Sequence, residues 1–154
     1  VLDVLSALEH AHANGVIHLD VKPENILIRG DQALLADFGF AKDLAMVAIT
    51  GDNVMLGTPS YMAPEQFGGE RSDPRSDLYA TGAVLYHLLK GHSPYGGQVI
   101  RFLVGDARVQ LEPLSQVPQE LAEIVYRALE RSPERRYQSA AELRGALEGL
   151  YLSD

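Results

Sequence analysis

The stretch HLDVKPEN, residues 18–25, sets Asp20, Lys22, Glu24 and Asn25 in a short loop between an apolar pair, Val16-Ile17, and an apolar run, Ile26-Leu27-Ile28. Beyond it, Ile26 to Arg29 and Ala33 to Ala36 flank Gly30-Asp31-Gln32 and read as a small hairpin. A hairpin returns the chain to its origin, so Asp37 is expected near Asn25 although 12 positions separate them. Two carboxylates and an amide converging there suit a hard cation. Mg²⁺ favours one or two carboxylates plus substrate phosphates over a closed protein cage. Lys22 would add an ammonium at the same place, where a transferring phosphoryl group could use it. Leu19, apolar between His18 and Asp20, has no obvious task in such a loop.

The rest of the chain bounds what this loop serves. At 154 residues it reads as one domain, large enough to bury about two thirds of its unfolded surface. An apolar fraction of 46% with 22% charged residues is that of an ordinary globular chain. Thirteen basic against 21 acidic residues leave a net charge of −8, which argues against a nucleic-acid partner. Zero cysteines exclude disulfides and thiolate metal sites and suit a reducing compartment, so a cytoplasmic location is expected. No apolar run approaches bilayer-spanning length and no signal-peptide pattern is present, so this segment is expected to make no membrane contact. The chain opens at Val1 inside an apolar periodic segment, which reads as a cut edge.

Periodicity gives a mainly helical organisation. Residues 1–15 place Val1, Leu2, Val4, Leu5, Leu8 and Ala11 on one helical face, with Gly15 as C-cap. Val16-Ile17 reads as a short strand. Residues 40–62 lack periodicity, and a connection of that length in a compact domain is functional or disordered. Asp73-Pro74 starts and Gly91 stops a helix over 74–90, with Leu78, Val84, Leu85, Leu88 and Leu89 expected on its buried side. A short helix is expected over 97–105, another from Pro118 to about 130, and a last one over 140–150 behind a Ser139/Glu142 capping box. No internal repeat or low-complexity segment appears.

Several motifs stand in order along this frame. H-x-D-x-K-x-x-N (18–25) is followed by D-F-G (37–39), G-T-P-S-Y-M-A-P-E (57–65), S-D-L-Y-A-T-G (76–82) and R-S-P-E-R-R-Y-Q-S (131–139). Together they resemble the C-terminal lobe of protein kinases, and the last resembles bacterial serine/threonine kinases of the eukaryotic type. The resemblance implies a mainly α kinase-like C-lobe bundle over 1–154, with a small β-hairpin at the catalytic loop. It implies ATP and Mg²⁺ as cofactors and protein Ser/Thr hydroxyls as acceptors. Asp20 would accept or orient the hydroxyl proton and Lys22 would contact the γ-phosphate. Asn25 and Asp37 would hold Mg²⁺, and Leu27 would pack beneath the adenine. Phe38, Gly39, Thr50 and Thr58 would lie in an activation segment clamped to the lobe by Glu65 paired with Arg136. His18 would be structural, packing with Phe38 in the core, and Asp77 would bond back to the backbone near His18. Lys22 with Thr58 is the serine/threonine pattern. Glu24 could favour basic residues in a substrate or be a solvated acid; His10, His12, His87 and His92 show no metal-ligand spacing.

Two departures stand out. The family's Gly-rich loop, strand Lys and αC Glu are absent and belong to an N-terminal lobe that would precede Val1. They hold the α- and β-phosphates, so the chain is expected to be an N-terminally truncated kinase, inactive alone and exposing apolar surface around Leu27 and the first helix. The arginine of the family's H-R-D is Leu19, which has no donors for a phosphorylated loop residue. Phosphorylation at Thr50 should then not be needed to order the loop, with Lys42 a partial substitute. A pseudokinase or scaffold is the rival reading, which intact Asp20, Asn25 and Asp37 oppose. A small-molecule phosphotransferase shares the loop but has no need of Gly57 to Glu65.

Overall fold

The computed structural model describes residues 1–38 and 59–153. Helix α1 (Leu2–Ala13) buries Val4, Leu5, Leu8 and Ala11, one face at helical spacing. Gly15 follows with φ 74°, the left-handed turn that sends the chain back along the helix. Val16-Ile17 does not form the expected strand. The Val16 N–H instead turns back to the Ala11 carbonyl (2.9 Å), so this peptide serves the helix end.

A 3₁₀ turn at Pro23–Asn25 leads into β1 (Ile26–Arg29), antiparallel to β2 (Gln32–Leu35) with Ile26 opposite Leu35 and Arg29 opposite Gln32. The connection is two residues long, one shorter than the sequence reading. Gly30 takes φ 64° at its first position, where a side chain would be strained.

Helix α2 (Pro64–Phe67) is one turn, and α3 (Arg75–Lys90) is the post on which the molecule is built. The Asp73 carboxylate accepts from the Arg75 N–H (2.9 Å) at its start, and Gly91 ends it at φ 93°. One apolar cluster joins Leu78, Ala80 and Val84 to α1, to α5 (Gln119–Ala128) and to α6 (Ala140–Tyr151). A second joins Tyr79, Ala83 and Tyr86 to α4 (Val99–Leu103) and to the other side of α5. The first two and a half turns of α3 are therefore buried all round, while Leu88, expected inside, is 69% exposed. Gly82 lies at the α3–α5 crossing, where an added Cβ would stand 2.7 Å from that of Ala128. The Ser139 hydroxyl caps α6 as expected, accepting from the Glu142 N–H (3.1 Å), but Glu142 reaches the Gln138 N–H (2.6 Å), one residue earlier than a regular capping box.

Candidate active site

The loop 18–25 is fixed from below by α3. Asp77 is buried in its first turn, where the helix dipole favours a carboxylate. Its two oxygens accept from the His18 N–H (2.8 Å), the Leu19 N–H (2.8 Å) and His12 Nε2 (2.8 Å). Leu19 is thereby held at φ 64°, a conformation costly for a branched side chain, with that side chain buried. This is what the apolar residue does in a charged loop: it packs inward while its peptide groups are held by neighbours. Gln66 of α2 donates to the Leu19 carbonyl (2.6 Å). His18 is fully buried; its Nε2 meets the Ala36 carbonyl (2.7 Å) and its Nδ1 accepts from the Asp20 N–H (3.0 Å), a pattern that assigns the Nε2–H tautomer.

Turned outward by these bonds, Asp20 stands beside Lys22 (Nζ to Oδ1, 3.3 Å) and Asn25, whose amide donates to the Asp20 carbonyl (2.8 Å) and Oδ2 (3.1 Å). Lys22 and Asp20 are partly exposed, so their pairing contributes little to stability. The hairpin closes onto this loop: the Ala36 N–H donates to the Asn25 carbonyl (2.8 Å), which delivers Asp37 one residue later, at φ 59°. Among the described residues no group of three or more His, Asp or Glu side chains forms a metal cage. A cation held by Asn25 and Asp37 would complete its shell with phosphate oxygens and water, the arrangement Mg²⁺ favours.

Phe38 departs from expectation. Its ring meets His18 edge-on (centroids 4.6 Å apart), yet Phe38 is 37% exposed and stands at the edge of the core, where the fully buried His18 is its one ring contact among the described residues. Leu27 (55% exposed) and Ile28 (74%) also lie open on β1, with Leu34, opposite Leu27, exposed beside it, and Val16 is exposed as well. The apolar surface expected around Leu27 is present; of the apolar face of the first helix, Val1 and Leu2 at its start are partly open while Val4, Leu5, Leu8 and Ala11 are core. Gly39, Thr50 and Thr58, and with them Lys42, lie outside the described residues.

Glu65 and Arg136 form a bidentate pair at 2.6 and 2.7 Å. The fully buried guanidinium gives its remaining N–H groups to the carbonyls of Glu130 (2.7 Å), Arg131 (3.0 Å) and Arg75 (3.2 Å), and lies over the Tyr79 ring. All five donors are thus used. Burial pushes the Glu65 carboxyl up, but Arg136 and the Ser76 hydroxyl (2.8 Å) more than reverse this and hold it below the usual carboxylate range.

Three contacts escaped the sequence reading. Gln66 to Leu19 and His12 to Asp77 join residues far apart in sequence, and neither has a local pattern. The third is the Tyr61 hydroxyl on His87 Nδ1 (2.6 Å); burial pushes that phenol up and the Glu24 carboxylate adds to it.

A family model described as "Protein kinase domain" matches residues 1–146, and the chain belongs to that family. Among its relatives, the serine/threonine-protein kinase PknL of Mycobacterium tuberculosis is 40% identical over 153 residues, covering 96% of this chain and 38% of the relative. PknB of Mycobacterium leprae is 40% identical, covering 96% of this chain and 25% of its own length. The probable serine/threonine-protein kinase CPE1738 of Clostridium perfringens is 36% identical, with 97% and 23% covered. The chain therefore spans well under half the length of these relatives. Among the described residues no helix is long and apolar enough to cross a membrane.

Proposed function

We propose that residues 1–154 are the C-terminal lobe of a serine/threonine protein kinase, which transfers the γ-phosphoryl group of ATP to Ser or Thr hydroxyls of a protein substrate in the cytoplasm. The observation that carries this reading is the grouping of Lys22 and Asn25 on the Asp20 carboxylate, with the hairpin bonding Ala36 back to Asn25 one residue before Asp37. A binding module has no chemical need for that set.

In this reading Asp20 orients the acceptor hydroxyl and takes its proton as the oxygen forms a bond to the γ-phosphorus and the bond to the ADP oxygen breaks. Lys22 neutralises charge on the transferring group, and Asn25 and Asp37 hold Mg²⁺. When bound, the ion would supply charge neutralisation for the transferring phosphoryl group. The exposed Leu27, with its cross-strand partner Leu34 open beside it, supports a place beneath the adenine, and the open apolar side chains of Ile28 and Phe38 suit an N-terminal lobe that brings the remaining phosphate contacts. Glu65 and Arg136 clamp the activation segment. Leu19, buried and without donors, supports activation that needs no phosphate on Thr50.

The test is Asp20→Asn in the intact protein with a Ser/Thr peptide. Transfer from ATP should fall by about 10²–10⁴-fold with the fold intact. Undiminished transfer would remove Asp20 from its role, and a wild-type protein that transfers nothing would leave the scaffold reading. For regulation, Thr50→Ala should retain most activity; loss of most of it would sink that part.

A further inference from the structure

We propose that Gln66 is a positioning residue of the phosphoryl-transfer site, locking the peptide unit from which Asp20 projects; the proposal rests on the kinase reading above. That unit links Leu19 to Asp20 and is held at both ends. Its carbonyl accepts from Gln66 Nε2 (2.6 Å) and its N–H donates to His18 Nδ1 (3.0 Å). The unit before it is fixed separately, by the Leu19 N–H on Asp77 (2.8 Å). Asp77 therefore sets where the loop sits, while Gln66 and His18 set how the next peptide is turned, and so where the Asp20 carboxylate points.

Such a lock is needed because Leu19 sits at φ 64°, which a branched residue leaves readily unless its surroundings over-determine it. Gln66 and Leu19 are both buried, so water cannot easily replace the amide on that carbonyl. Gln66 is itself anchored. Its neighbour Glu65 ties α2 to Arg136, which leaves Gln66 a fixed base from which to reach the loop. Two adjacent residues of one helical turn thus act in different directions, Glu65 on the helical core and Gln66 on the loop. Helix α2 is thereby coupled through Gln66 to the residue that would take the substrate's proton.

The experiment is initial-rate kinetics and amide exchange on Gln66→Met in the intact protein, well below its unfolding temperature. Methionine keeps the length and removes the donor. The expected result is a kcat lower by about tenfold, the size of one lost buried hydrogen bond, with KM for ATP and for the peptide within about twofold. The Leu19 and Asp20 amides should exchange about tenfold faster. Gln66→Asn, which keeps the amide but falls short of Leu19, should show the same loss of kcat and serves if Gln66→Met fails to fold. A lower melting temperature with kcat and both amides unchanged would make Gln66 merely structural and overturn the inference, leaving the kinase reading in place. A wild-type protein without phosphoryl transfer would overturn that reading, and this inference with it.

Discussion

Asp77, fully buried, and Glu65, largely buried, are two carboxylates that fasten distant segments to the first turn of α3, and they do so with different donors. Asp77 takes two backbone N–H groups and an imidazole nitrogen; Glu65 takes a guanidinium from a residue 71 positions away and the hydroxyl of Ser76. Backbone donors fix a conformation, here the left-handed turn at Leu19. A side-chain donor fixes a separation, here between α2 and the 3₁₀ turn at Pro133–Arg135 that precedes Arg136. Loss of the first should be felt in loop geometry, and loss of the second in stability.

The sharpest way to break this comparison is Arg136→Met. It leaves the largely buried Glu65 carboxylate without its cation, and breaking a buried pair costs about 3–5 kcal/mol, an upper figure for this partly exposed one. The urea midpoint of the domain should fall accordingly, and the Leu19–Asp20 peptide, which Gln66 holds from α2, should loosen along with α2. A loss below about 1 kcal/mol would put the clamp among surface ion pairs.

Asp77→Asn follows. The amide can still accept at its oxygen, but its nitrogen then faces a backbone N–H, so one buried donor is orphaned at a cost of about 1–3 kcal/mol. The mark of its role is local: the His18 and Leu19 amides should lose protection well before the helices do. Uniform loss across the domain would show that Asp77 supports the core and not the loop.

Gly82→Ala tests what the two carboxylates share. A Cβ placed 2.7 Å from that of Ala128 forces α3 and α5 apart, which costs about 1–3 kcal/mol. Both fastenings hang on the first turn of α3, so amides near Leu19 and near Arg136 should loosen together. A neutral substitution would mean that the crossing can give way.

What was legible in the sequence follows the same division. Helix α1, the hairpin and α3 show in apolar period and in stop signals such as Gly91, because each is set by local chemistry. The order of motifs was enough to place the chain among kinases. Val16-Ile17 misled because a strand needs a partner, which two apolar residues cannot reveal. Leu88 misled because burial depends on what packs against a helix: α3 is enclosed for its first turns and open near its end. Gln66 was invisible, since its partner is a carbonyl 47 positions away and a lone glutamine carries no pattern.

The smallest expected effect sits on the clamp itself. Ser76→Ala removes one hydrogen bond to the Glu65 carboxylate (2.8 Å) and should cost about 1–2 kcal/mol at neutral pH. Its value lies in the pH dependence. Glu65 is held below the ordinary carboxyl range when folded, so its contribution is fully present above the unfolded value of about 4.3 and disappears as pH falls through the lower folded value. Without the Ser76 hydroxyl the folded value rises toward the ordinary one, because burial still opposes the charge and only Arg136 among these side chains remains to offset it. The onset of the acid loss is set by the unfolded carboxyl and is shared, so in Ser76→Ala the loss attributable to Glu65 should be smaller than in the wild type and complete at a higher pH. In Arg136→Met the acid loss attributable to Glu65 should vanish or reverse, because protonation then relieves an unpaired buried charge. Parallel acid-unfolding curves for all three proteins would mean that the Glu65 carboxylate is solvated and that α2 is held some other way.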